Sequence, residues 1–151
     1  MRDEDDMRWA TAVHEAGHVV VAWAFGLHVQ AIYLAGSGEG RSEIECDARA
    51  PLLHQIAVAE AGMVAAELLS APTWPQAGMT DALKVMGLLE HSPDTTCESV
   101  EGRRCASQIL ASRVVLLRDL AIAVDRSGSL SGADLEGFAG RCPREKSSLA
   151  A

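Results

Sequence analysis

The feature that most constrains this chain is a run from residue 9 to residue 25 that contains no proline and is largely apolar. A run of this length and period is typical of a buried helix. Acidic residues at positions 3–5 precede it, where a helix N-terminus favours negative charge, and Gly26 supplies a stop. The sequence therefore predicts a first helix that carries a His-Glu-x-x-His motif at residues 14–18 in apolar surroundings.

The spacing within this motif indicates metal chemistry. Residues four apart on a helix lie on the same face, so His14 and His18 can present ring nitrogens to one tetrahedral zinc ion. Glu15 falls beside the metal, where a carboxylate can take a proton from an attacking water and return it to a leaving amine. This is the pattern of metal-dependent peptidases. The alternative is a buried helix whose histidines only form hydrogen bonds, which requires polar partners for all three side chains within one turn.

The composition bounds the fold class and the partners. Hydrophobic residues make up 48% of the 151 residues and aromatic residues only 4%, which favours packed helices in a single domain, residues 1–151, with a core at about 8–138. The net charge of −8 argues against a nucleic-acid surface, and no apolar run is long enough to cross a bilayer. We expect a mainly α (α+β) fold without nucleic-acid or membrane partners, and a loose tail over residues 141–151.

Two features indicate a cytoplasmic protein. The chain opens on acidic residues rather than on a secretory signal, and its four cysteines include no Cys-x-x-Cys pair. Secreted domains of this size carry denser cysteine patterns, so reduced thiols are expected. The sequence leaves open whether Cys97 and Cys105 pair.

The period of the pattern changes after the first helix. Residues 28–35 and 42–47 alternate in the manner of strands, and the glycine-rich segment 36–40 between them is typical of a turn. These segments predict a small β-hairpin directly after the helix with the two histidines. An exposed strand beside a metal could pair with an extended polypeptide substrate, and a hairpin that only covers the core is an equal alternative.

Four further helical patterns lie downstream, and the one that carries Asp81 is described below with the metal site. Residues 52–70 space apolar side chains for a buried face, residues 99–125 do so over one long amphipathic helix, and residues 131–138 form a short closing helix. The long helix is expected to present its charged side chains on its outer side, namely Arg103, Arg104, Arg113, Arg118 and Asp119.

Two acidic residues are candidates for the metal site. A catalytic zinc ion takes three protein ligands and an open position, so the histidine pair requires one more ligand. After a loop at residues 72–78, Asp81 stands at the start of a helical pattern over residues 79–89, where it is either a cap or the third ligand. Glu67 lies among apolar neighbours that would not hold a bare carboxylate without a partner.

Three segments together resemble the peptidase domain of the FtsH family of ATP-dependent zinc proteases. They read His-Glu-Ala-Gly-His at 14–18, Ala-Gly-Met-Val-Ala-Ala-Glu-Leu at 61–68 and Thr-Asp-Ala-Leu-Lys-Val at 80–85, and the resemblance extends from about residue 8 to residue 138. The middle run departs from the family pattern, because Met63 and Ala66 stand where the family has an arginine and a first glutamate.

The resemblance implies a helical, FtsH-peptidase-like domain with a role for each site residue. His14, His18 and Asp81 would be the zinc ligands and Glu15 the general base. Glu67 would match the second glutamate of the family's middle run, as an outer partner that holds a ligand histidine.

The chain has no Gly-x-x-x-x-Gly-Lys-Ser/Thr loop to hold ATP phosphates. We therefore expect a free-standing, motorless zinc metallopeptidase that hydrolyses unfolded or short polypeptides or works with a separate ATPase or protease partner. The alternative from another class is a non-catalytic zinc-binding module that binds peptides or a protease.

Overall fold

The computed structural model describes residues 2–36, 39–45, 49–73, 75–90 and 95–146. In chain order its elements are α1 (Arg2–Ala24), β1 (Val29–Leu34), β2 (Gly40–Ile44), α2 (Leu52–Leu68), α3 (Pro75–Leu89), α4 (Thr95–Ala111), α5 (Val114–Ser127), β3 (Ser129–Ser131) and α6 (Gly132–Ala139). The described chain is mainly helical with one small antiparallel sheet, so the predicted fold class is confirmed. No helix within these ranges is both long enough and apolar enough to cross a membrane.

Helix α1 is the centre of the molecule. Every residue from 10 to 24 is buried, and the helix packs against α2 and α5 on two sides and against the sheet on a third. Its first turn holds Asp3, Glu4 and Asp5, as predicted. Gly26 follows its end with a φ of 78°, a left-handed conformation that favours glycine.

The predicted β-hairpin is present, and it is part of a larger sheet. Strand β1 lies between β2 and β3, with all pairs antiparallel, so that Ile32 is opposite Ser42 on one side and Leu130 on the other. Strand β3 was not predicted, because a strand of three residues is too short to show an alternating pattern. Strand β2 forms one edge of the sheet, and residues 46 and 47 of the predicted strand lie outside the described residues.

Helix α2 agrees with its prediction, whereas α3 begins earlier than expected. The loop predicted at residues 72–78 is wrong in its second half, because the helix starts at Pro75. Proline is tolerated in the first turn of a helix, where its missing N–H would have no partner. Asp81 is therefore inside α3 rather than at its start.

The single long helix predicted over residues 99–125 is wrong, because the chain breaks between α4 and α5 at Ser112 and Arg113. Arg113 does not lie on an outer face. Its side chain is 6% exposed and donates hydrogen bonds to the carbonyl oxygens of Ile109 and Pro143 and to the carboxylate of Glu145. Pro143 and Glu145 belong to the C-terminal segment, so the break is stabilised in part from outside the two helices.

The first part of the predicted loose tail is fixed to the molecule. The backbone N–H of Glu145 donates a hydrogen bond to the carbonyl oxygen of Ala24 at 2.8 Å, and the guanidinium of Arg113 donates one to the carbonyl oxygen of Pro143. The prediction is therefore wrong for residues 141–146, and residues 147–151 lie outside the described residues. Cys105 is a buried thiol and forms no disulfide with Cys97.

Candidate metal centre

The site is built on an unusually close approach of α1 to α2. A Cβ on Gly17 would lie 2.6 Å from both the carbonyl oxygen of Ala61 and the Cβ of Ala65, distances at which atoms overlap. Glycine is therefore required at this point of α1, and small residues are required opposite it. This contact brings the histidine face of α1 directly against the backbone of α2.

The same approach positions His14. A Cβ on Gly62 would lie 2.5 Å from Cε1 and 2.6 Å from Nε2 of the His14 ring. The imidazole thus occupies the space that a side chain at position 62 would fill. Because residue 62 is a glycine, the ring of His14 fits between the two helices.

The orientation of His18 is set by a main-chain group of α2. Its Nδ1 lies 2.6 Å from the carbonyl oxygen of Val58. Because a carbonyl oxygen can only accept, Nδ1 carries the hydrogen and donates it. In the neutral ring, Nε2 is then the nitrogen with the free lone pair, which is the form that binds a metal.

Asp81 reaches the two histidines from α3. Its Oδ2 lies 2.9 Å from Nε2 of His14 and 3.4 Å from Nε2 of His18, and the two Nε2 atoms are 3.1 Å apart. All three residues are buried, at 6 to 7% exposure. The structure therefore brings together the three residues that the sequence predicted as ligands, and together they could hold a metal ion.

The donor atoms fit a small cation. Two imidazole nitrogens and a carboxylate oxygen in mutual contact repel one another unless a proton or a metal ion lies between them. Oδ2 of Asp81 is buried, and no described residue donates a hydrogen bond to it in good geometry. A tetrahedral ion at about 2.0–2.1 Å from each ligand separates the ligand atoms by about 3.3 Å, which is close to the three distances observed.

The ionisation of the site follows from the same contacts. Burial disfavours the charged form of Asp81, but its contacts with His14 and then His18 hold the pKa of its carboxyl well below the usual range. Burial likewise lowers the pKa of His18, but Asp81, Glu15 and the carbonyl of Val58 together raise it above its ordinary value. A metal ion entering this site would compete with protons for the same ligand atoms.

Glu15 lies beside this group and against the sheet. It is buried at 8% exposure, and its charge contributes to the raised pKa of His18. A Cβ on Gly40, the first residue of β2, would lie 2.9 Å from Cγ of Glu15 and 2.5 Å from Cγ2 of Thr11. The carboxylate that the sequence predicted as a base is thus held next to the beginning of the edge strand.

Glu67 is not at the site. Its side chain is 60% exposed and pairs with the guanidinium of Arg103 on α4, and the carbonyl of Val58 bonds to His18 instead. The partner of His18 is therefore a main-chain group, which the identity of residue 58 does not reveal. The small residues at 61, 62 and 65 are the sequence signal from which the close helix contact could have been predicted.

The search against protein-family models gave no match for the chain, and neither did the search of curated proteins. The fold and the site define a mainly helical protein with a buried group of two histidines and one aspartate that could hold a metal ion. The chemistry of this group follows from its geometry.

Proposed function

We propose that His14, His18 and Asp81 bind zinc. Two imidazole nitrogens and one carboxylate oxygen are a ligand set that zinc accepts, and three protein ligands leave a position for water or substrate, as in catalytic rather than structural zinc sites. The bond from His18 to Val58 supports this assignment, because metal-bound histidines almost always donate their other ring N–H to an oxygen.

We further propose that the chain is a zinc metallopeptidase. Bound zinc would supply a Lewis acid that polarises the scissile carbonyl and lowers the pKa of an attacking water to about 7. Glu15 would accept the proton of that water and return it to the leaving amine. The observation that carries the proposal is the burial of Glu15 beside the three-ligand group, since a structural zinc site has no use for a base at that position.

The substrate would be an unfolded or short polypeptide. Strand β2 is an edge strand, and Gly40 at its start touches Glu15, so an extended chain added along this edge would lie next to the base. The sequence resemblance to the FtsH peptidase domain supports the same activity, and it suggests a separate ATPase or protease partner and a cytoplasmic location.

The test compares the wild-type protein with Glu15→Gln on unfolded casein, with bound zinc measured by mass spectrometry. We expect about one zinc per chain in both proteins and a loss of hydrolysis of roughly 10²–10⁴-fold in the variant, the range typical of a general base. Glu101→Gln makes the same chemical change on the exposed side of α4 and should leave hydrolysis unchanged.

One result would favour the alternative function. Stoichiometric zinc in the wild-type protein without hydrolysis of casein or short peptides would contradict the peptidase proposal and support a non-catalytic zinc-binding module. An interaction partner would then be sought by its effect on zinc retention, since His14, His18 and Asp81 would still be the proposed zinc ligands.

A further inference from the structure

Helix α3 carries Asp81, and among its described side chains, residues 81–88, the apolar contacts with the rest of the protein form one small cluster. Val85 and Leu88 pack against Leu52, Ile56 and Ala59 at the beginning of α2, in a cluster separate from the main core around α1. On the opposite side of α3, Leu83 and Met86 are more than 60% exposed. The described side chains of α3 therefore bury few apolar groups.

The contact that the described side chains of α3 make with the two histidines of α1 is polar. Within the described part of the chain, Asp81 is the side chain of α3 that reaches His14 and His18. Its buried Oδ2 has no well-directed donor, whereas in water it would be fully hydrated. Docking of α3 thus places a carboxylate in a site that a bound cation would complete.

We propose that metal binding controls the docking of α3, an inference that rests on the proposed zinc site. With α3 docked, the described residues offer zinc three ligands. With α3 detached, His14 and His18 remain of these three. A ligand shifts an equilibrium by the ratio of its affinities for the two states. Zinc therefore favours the docked state, and loss of zinc releases the helix that completes the site.

The coupling is reciprocal. Zinc and any contact that holds α3 in place both favour the docked state. By linkage each strengthens the other by the same factor, so such a contact raises the affinity for zinc even if it is far from the metal. Val85 is such a contact, because it is 5% exposed and touches Ile56 and Ala59 rather than the histidines. Zinc availability thus controls the position of α3 and, with it, whether the carboxylate of Asp81 lies at the site.

Hydrogen exchange of the full chain, followed by mass spectrometry, tests the inference. We expect the amides of α3 to exchange at least tenfold more slowly in the zinc-loaded protein than in the protein stripped with EDTA. The amides of α5, which lies in the main core, serve as the internal reference. Equal exchange of α3 in the two forms, with one zinc bound per chain, would overturn the inference and leave the zinc site intact.

Val85→Ala tests the reciprocal arm with every ligand retained. We expect its zinc affinity, measured by chelator competition, to fall 3- to 10-fold, and its α3 exchange to recover when zinc saturates it. Val124→Ala is the matched control, because Val124 is fully buried in the main core on α5, and its zinc affinity should equal that of the wild type. Unchanged affinity in Val85→Ala would contradict the coupling.

These outcomes separate the inference from the peptidase proposal. Zinc-dependent protection of α3 without casein hydrolysis supports the inference and contradicts the peptidase function alone. Wild-type protein that binds no zinc overturns both.

Discussion

The ring of His14 occupies the space above Gly62, where a Cβ would lie 2.5 Å from Cε1. Gly62→Ala must therefore displace either the imidazole or helix α2. We expect zinc affinity to fall by about 10- to 100-fold, the range seen when the support of a ligand is lost. Chelator competition measures this. Gly137→Ala on α6, where a Cβ would meet nothing within 4 Å, should leave the affinity unchanged.

Asp81 and Glu67 are the two acids downstream of the histidine motif that the sequence predicted at the site, and they should respond differently to removal. Asp81→Ala deletes the buried carboxylate that we propose as the third ligand, so the affinity for zinc should fall by at least tenfold. Glu67→Ala deletes an exposed ion pair with Arg103, so zinc affinity should not change and stability should fall by less than about 1 kcal/mol. Full zinc affinity in Asp81→Ala would refute the third-ligand assignment.

The ion pair between Arg113 and Glu145 should stabilise the junction of α4 and α5. Glu145→Ala leaves a guanidinium that is 6% exposed without its carboxylate, and we expect a loss of about 3 kcal/mol in the free energy of unfolding. Urea denaturation of the metal-free protein measures it. The matched control is Asp119→Ala, which removes the exposed pair with Arg141 and should cost less than about 1 kcal/mol. Equal losses in the two variants would show that burial is not the cause.

His54 should make the metal-free protein less stable in acid. Burial lowers the pKa of His54, whose ring stacks on Phe25 at a centroid distance of 3.8 Å. Because its folded-state pKa lies below the unfolded value of about 6.5, the unfolded chain takes up the proton first as pH falls. Stability is therefore lost as the pH falls through the pKa that His54 has in the unfolded chain. The loss is complete once the pH is below the pKa that His54 has in the folded protein.

His54→Phe keeps the stacked ring and removes this titration. The difference in free energy of unfolding between the variant and the wild type should therefore grow in favour of the variant as pH falls from about 7.5 to about 5. Urea denaturation over this range measures it, with EDTA present. A difference that does not vary with pH would contradict the assignment.

The parts of the fold that were predictable are those that local spacing determines. The apolar period of α1 and α2 and the alternation in β1 and β2 are visible in the sequence, and the four-residue spacing of His14 and His18 fixes their common face. Asp81 was predictable as a ligand from the requirement for a third donor and from the family resemblance, although its place within α3 was not.

The remaining features depend on contacts between distant residues. Ile109 and Leu110 on α4 are spaced seven residues from Leu116 and Leu117 on α5, so the apolar period continues through the break that separates the two helices. Only the burial of Arg113 against residues 143–145 reveals that break. The partner of His18 is likewise a carbonyl, a group that every residue has.

The close packing of α1 on α2 determines how far such a site can vary through mutation. A larger residue at 17 or 62 meets backbone or a ligand ring, so no single exchange on the facing helix makes room for it. In a library that randomises α2 and selects for retained metal, position 62 should return glycine, and positions 61 and 65 should return only small residues. The exposed positions 67 and 68 should accept almost any residue. A search for related sites should therefore require small residues at 61, 62 and 65 as well as the two histidines and the aspartate.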